Sequence, residues 1–155
     1  MPVQLIVRSG CYLTHDLGKY HRMSPLDGRR EADEPLHLEN ALHGWARVLS
    51  RPEPELAILG TGKRDLPYDL SLPVPLRTYP SDGSPTLDLG AGCTIHKMMD
   101  QHAFMTLPAD TPLRLRPGDI VVLGMSHPCT AFDKARLLPI IDDDNTVIDA
   151  VMTFF

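Results

Sequence analysis

The chain has 155 residues, of which 43% are hydrophobic and 23% charged, a balance that excludes a wholly disordered polypeptide and suffices for one buried core. No apolar run approaches the ~20 residues of a membrane span, and the start, MPVQLIVRSG, lacks the charged and long apolar regions of a secretory signal. A net charge of −5 without any basic block makes nucleic acid and anionic membranes poor partners.

Fifteen prolines, roughly twice the average share, leave little room for long helices and favour short strands and turns. Val3 to Val7 reads as a short β-branched strand of the kind buried on both faces, stopping at Ser9-Gly10. Cys11 to Thr14 is a candidate restart of that strand. Residues 21–37 are polar, charged and turn-rich, and predict a long surface loop. Residues 42–49 fit both a helical spacing (Leu42, Trp45, Val48, Leu49) and strand alternation, and they stop firmly at Arg51-Pro52-Glu53-Pro54. Leu56 to Leu59 predicts a strand ending in Gly60-Thr61-Gly62, and Leu70 to Leu76 a proline-rich extended segment. Asp82-Gly83 marks a turn, and 93–99 and 103–107 are candidate strands flanking Asp100-Gln101-His102. Arg116 to Asp119 is a turn signal before the strand Ile120–Leu123. Ser126 to Thr130 reads as a polar loop, and two alternating strands, 137–141 and 146–152, are joined by the acidic turn 142–145.

The sharpest chemical feature is His127-x-Cys129. Imidazole and thiolate are both good zinc ligands, and two residues apart in an extended segment they would point the same way. A pair is only half a zinc site, and a loop histidine beside a free cysteine is the plainer reading. His15-Asp16 and Asp100-Gln101-His102 place imidazoles near carboxylates, an arrangement that serves acid/base or ligand-orienting roles and also arises by chance among seven histidines. Lys63, after Gly60-Thr61-Gly62, is a candidate anion contact, although the spacing is not that of a Walker loop. The run Asp142–Asp144 lacks the twelve-residue calcium loop and reads as an exposed turn. The cysteines Cys11, Cys93 and Cys129 are odd in number and widely spaced. Without a secretory signal they predict reduced thiols or a metal ligand in a cytoplasmic protein.

Four segments, taken in order, resemble a known family: RSGCYLTHD at 8–16, GTGKRDLPYD at 60–69, DQHAF at 100–104 and RPGDIVVLGMSHPCTAFDKARLLPIIDDDNTVIDAVMTFF at 116–155. The family is the metal-dependent D-serine dehydratase and D-threonine aldolase group, in particular its bacterial amino acid deaminase branch. Its enzymes use pyridoxal 5′-phosphate (PLP) on an alanine-racemase-like, fold type III scaffold. The resemblance implies a mainly β fold: an antiparallel, barrel-like C-terminal domain of the alanine-racemase type, with one orphan strand from a missing TIM barrel. It divides the chain into the last strand and exit of a PLP-binding barrel (1–20), a loop (21–40) and a dehydratase-like C-terminal β-domain (41–155), and it settles 41–50 as strand.

The resemblance also implies roles. His127 and Cys129, the latter as thiolate, would hold zinc or another divalent metal. Gly10 and Cys11 would meet the cofactor phosphate through main chain, Arg8 would face the pyridine nitrogen, and Tyr12 and Asp16 would stand close by. Lys63 and His102 are weaker catalytic candidates. The cofactor-bearing lysine belongs to the family's N-terminal half, and Lys19, Lys63, Lys97 and Lys134 do not match its motif, so the chain alone is expected to be inactive. The intact enzyme would be a lyase acting on a D-amino acid, giving a keto acid and ammonia or, as an aldolase, glycine and an aldehyde. Its partners would be that substrate, a PLP-binding barrel domain and a second copy in a homodimer. The rival expectations are a non-catalytic β-module for binding or dimerisation with a vestigial metal pair, and a cupin-like barrel with several histidines on one metal.

Overall fold

The computed structural model describes residues 3–24, 26 and 38–154. Most of the loop expected at 21–40 lies outside these residues. Among the described residues, nine strands and two short helices follow a 3-10 turn at Gly10–Leu13: α1 (Lys19–Met23), β1 (His43–Glu53), β2 (Leu56–Leu59), β3 (Val74–Tyr79), β4 (Leu87–Asp88), β5 (Thr94–Met98), β6 (Ala103–Thr106), β7 (Ile120–Gly124), α2 (Pro128–Phe132), β8 (Leu137–Ile141) and β9 (Val147–Met152). Seven strands form one antiparallel sheet in the order β4-β3-β7-β1-β2-β6-β5, and β8 and β9 form a separate hairpin. β3 and β5, from opposite ends of that order, touch, so the sheet curls toward closure as a half-barrel. The mainly β expectation therefore holds.

The core follows from alternation. In β1, Gly44, Ala46 and Val48 point inward while Trp45, Arg47 and Leu49 point out, which decides the ambiguous 42–49 segment in favour of strand. Ala57 and Leu59 of β2 and Ala103 and Met105 of β6 join them, with Leu107, Val121 and Leu123, all essentially inaccessible. Burying a side chain such as Leu59 or Met105 contributes about 1.5–3 kcal/mol. β7 lies between β3 and β1, and Val121, Val122 and Leu123 are all buried, so both of its faces are covered. On the outer face Trp45 of β1 stacks on Tyr79 of β3 across β7, with centroids 5.1 Å apart and planes 10° from parallel.

The turn before β7 forms as its sequence indicates. Buried Asp119 accepts the Arg116 N–H through Oδ2 (2.8 Å) and the Ser81 N–H (2.8 Å) and Ser81 hydroxyl (2.9 Å) through Oδ1. Gly118 takes φ +103°, a conformation that favours glycine. Arg51 fastens the segment that leads into this turn, with Nη1 donating to the carbonyls of Leu113 (3.3 Å) and Leu115 (3.4 Å).

Several expectations need correction. Val3–Val7 forms no strand: Val3, Leu5, Ile6 and Val7 are each at least 81% exposed, and no neighbouring strand among the described residues offers a ladder. Cys11–Thr14 does not restart a strand, because Gly10–Leu13 winds into the 3-10 turn. Residues 126–130 are not wholly loop, since Pro128 begins α2, the position where proline's missing N–H costs nothing. The extended segment placed at 70–76 pairs only from Val74 onward. The short elements α1 and β4 carry no periodic signal. The β8–β9 hairpin forms as expected, but Leu137, Val147, Ile148, Val151 and Met152 remain exposed.

Met105 is fully inaccessible among close-packed neighbours. Met105→Ala should lower unfolding stability by about 2–5 kcal/mol. Urea denaturation should show a lower midpoint with an unchanged slope, and a loss below about 1 kcal/mol would contradict this packing.

Candidate functional site

The segment 11–18 is fastened along the exit of β7. The Leu17 N–H donates to Met125 O (2.9 Å) and the Ala41 N–H to Thr14 O (2.9 Å). The approach is close enough to need glycines: a Cβ on Gly18 would stand 2.9 Å from Ser126 Cβ, and one on Gly124 would overlap the Leu17 side chain. Asp16, almost wholly buried, accepts the N–H groups of Gly18 (2.8 Å) and Tyr20 (3.0 Å) through Oδ1. It organises the backbone of this segment. The Asp69–Ser71 stretch is fixed to the same place, because Ser126 Oγ accepts from the Ser71 N–H (3.3 Å) and donates to Ser71 O (2.8 Å).

Two side-chain pairs result. His127 Nδ1 lies 2.5 Å from Asp69 Oδ2, and the Thr130 hydroxyl is 3.2 Å from Asp69 Oδ1. Cys129 Sγ lies 3.2 Å from Cys11 Sγ. Tyr20 hydrogen-bonds the Cys11 sulfur, which raises the phenol above its ordinary pKa, and Tyr12 packs edge-on against Tyr20 at 5.7 Å. The Cys129 thiol is also pushed up, first by the hydrogen bond with Cys11 and then by burial, while the positive charge of Arg8 works in the opposite direction.

The residues singled out from sequence fall into two groups. His127, Cys129, Cys11, Tyr12 and Arg8 gather at this end of the sheet. Cys129 sits in the first turn of α2, so the expected extended His-x-Cys geometry is replaced by a helix start. Gly10 takes φ +56° with open space where a Cβ would stand. Lys63 and His102 belong to the 60–69 and 100–104 segments, and the Lys63 carbonyl accepts from Lys134 Nζ (2.7 Å). Gly62 packs so closely on the Asp100 backbone that a Cβ would overlap it, and the Lys63 N–H then reaches Met99 O (2.9 Å). That close approach accounts for Gly62, while Gly60 stands against the Leu49 side chain. Lys63 Nζ lies 5.3 Å and Lys134 Nζ 5.4 Å from the Tyr68 ring centre. His102 is exposed at the β5–β6 turn. Sequence reasoning missed Asp69, 58 residues from His127, and the meeting of Cys11 with Cys129.

For an imidazole whose Nδ1 is held by a carboxylate, Nε2 is left to face a ligand, the arrangement found behind many metal-bound histidines. Among the described residues no group of three His, Cys, Asp or Glu converges on one point. Among the described residues, His127 and Cys129 are the two that a metal there would take.

Burial works to raise the Asp69 pKa, but the hydrogen bond and charge of His127, its own backbone and Thr130 outweigh it and hold the carboxyl below its ordinary 3.8. The pair is therefore at full strength above the unfolded value of ~3.9 and is lost as pH falls through the folded one. Carboxyl-detected NMR should show Asp69 titrating below 3.8. His127→Ala should move that titration upward, and an unmoved midpoint would rule out the pairing.

Residues 41–141 match the family described as "Putative serine dehydratase domain". No curated protein matches the chain. The fold is similar to the crystal structure of D-threonine aldolase from Filomicrobium marinum, with a TM-score of 0.61 and 23% identity over 78% of this chain and 29% of that one. The likeness is one of fold, and the chain spans under a third of that enzyme's length. With about two thirds of its residues inside the matched region, the chain belongs to the serine dehydratase domain family.

Proposed function

We propose that this chain is the C-terminal, metal-holding part of a PLP-dependent D-amino-acid lyase, of the D-serine/D-threonine dehydratase-deaminase or D-threonine aldolase type. The observation that carries the reading is the His127–Asp69 pair beside Cys129, on a chain belonging to the serine dehydratase domain family. The proposed division is a barrel exit at 1–20, a loop at 21–40 and the β-domain at 41–155, and the enzyme works as a homodimer with its PLP-binding barrel domain.

The donor set fits a divalent metal such as zinc: one imidazole nitrogen and one thiolate, with positions left open for water or substrate. A metal held there supplies a Lewis acid for a substrate hydroxyl, and pyridoxal phosphate supplies an electron sink. Asp69 orients the His127 ring and keeps Nδ1 engaged, so that Nε2 would be the nitrogen to hold a metal. Thr130 holds the other carboxylate oxygen in place. The cofactor end is Arg8 to Tyr12: open space at Gly10 admits a phosphate to the main chain, Cys11 follows it, and Arg8 brings positive charge. Lys63 and His102 are kept as weaker catalytic positions. The chain alone should be inactive, since none of Lys19, Lys63, Lys97 and Lys134 matches the family's cofactor lysine. The exposed apolar hairpin β8–β9 also suits a docking module, which is the second reading.

Equilibrium dialysis against zinc at neutral pH tests the metal site. The reduced wild-type chain should retain roughly stoichiometric zinc. His127→Ala and Cys129→Ser should lose it, and Asp69→Asn should bind about 10–100-fold more weakly. A wild-type chain that holds no zinc, or a folded His127→Ala chain that holds it unchanged, would favour the non-catalytic module.

A further inference from the structure

We propose that Cys11 and Cys129 are a redox pair, closing a reversible disulfide across the candidate site. The sulfurs come from positions 118 residues apart, yet they lie 3.2 Å from each other. A disulfide bond is ~2.05 Å long, so closure needs a shift of about 1 Å. The backbone around both sulfurs is already fixed. Cys11 O accepts the His15 N–H (2.8 Å), Leu17 is bonded to Met125, and the Ala131 N–H returns to His127 O (3.3 Å). The chain segments are thus held together without help from the sulfurs, which already face each other. Cys129 is exposed and Cys11 half-buried, which gives an oxidant access to the first and leaves the second behind it. Cys93, the third thiol, is buried in the core and lies outside the pair.

The chemistry balances with a hydroperoxide as oxidant. The Cys129 sulfur attacks one peroxide oxygen, the O–O bond breaks, and sulfenic acid and one water form when hydrogen peroxide is used. The Cys11 sulfur then attacks the Cys129 sulfur, the S–O bond breaks, and the hydroxyl leaves as a second water with the Cys11 proton. Two thiols and one peroxide give one disulfide and two waters. Two equivalents of a small thiol reverse the step through a mixed disulfide. A sulfur bonded to Cys11 is no longer a thiolate ligand, so oxidation should also release a metal held by His127 and Cys129. That consequence rests on the metal reading above, whereas the bond itself does not.

The experiment is hydrogen peroxide treatment of the metal-free chain, alkylation of remaining thiols and peptide mapping without reductant. The intact mass should fall by two hydrogens, free thiols should drop from three to one, and the Cys11 and Cys129 peptides should be joined. Dithiothreitol should restore all three thiols. Cys93→Ser should keep the link, and Cys11→Ser should lose it and leave Cys129 to oxidise further or couple between chains. A wild-type chain in which Cys129 goes directly to sulfinic acid, or links only to another chain, would overturn the proposal. Zinc uptake is read separately: a disulfide that forms in a chain whose reduced state binds no zinc sustains the thiol pair and removes the metal reading.

Discussion

The hydrogen bond from the Leu17 N–H to the Met125 carbonyl is the fastening on which the site depends. It joins a segment outside the main sheet to the end of that sheet's most buried strand. Two glycines make it possible, because side chains at Gly18 or Gly124 would meet Ser126 or Leu17. Asp16 completes it by accepting peptide N–H groups that burial would otherwise leave without partners. Loosen this contact and Cys11, Arg8 and Tyr12 part from Cys129 and His127 together, though none of those side chains has changed.

The other half of the geometry comes from β7. It is flanked on both edges and covered on both faces, so its direction is set by the core, and the residues that follow it leave the sheet at a fixed point. Ser126 captures Ser71 there, which places Asp69 against His127. A sheet assembled for packing reasons thus delivers a polar cluster whose members are far apart in the chain.

Residues 42–49 are legible only in part: their spacing also fits a helix, and burial of Gly44, Ala46 and Val48 in the sheet decides for strand. The short apolar runs at Leu56–Leu59 and Ile120–Leu123 are read directly, since glycine or a turn bounds each. The Arg116–Asp119 turn is equally legible, since glycine and a peptide-capping aspartate are local requirements. Val3–Val7 misleads because β-branched composition states a preference for pairing and says nothing about whether a partner is present. Ser126–Thr130 misleads because its polarity outweighs Pro128, the one residue that announces a helix start. Within the site, His127 and Cys129 are readable as adjacent ligand types. Asp69 and Cys11 are not, because their relation to those residues exists only after folding. Near Lys63 the glycines also have packing reasons that the sequence does not show: Gly62 lies against the Asp100 backbone and Gly60 against the Leu49 side chain.

The stack of Trp45 on Tyr79 has an optical consequence. Trp45 is the chain's only tryptophan, so its emission reports on one locality, the outer face where β1, β7 and β3 lie side by side. Tyr79 is also hydrogen-bonded to Asn145 at the β8–β9 turn, with Asn145 Nδ2 3.1 Å from its hydroxyl. Intrinsic fluorescence of this chain is therefore a gauge of whether the hairpin stays latched to the sheet. It can register the release of that latch while the core strands remain paired.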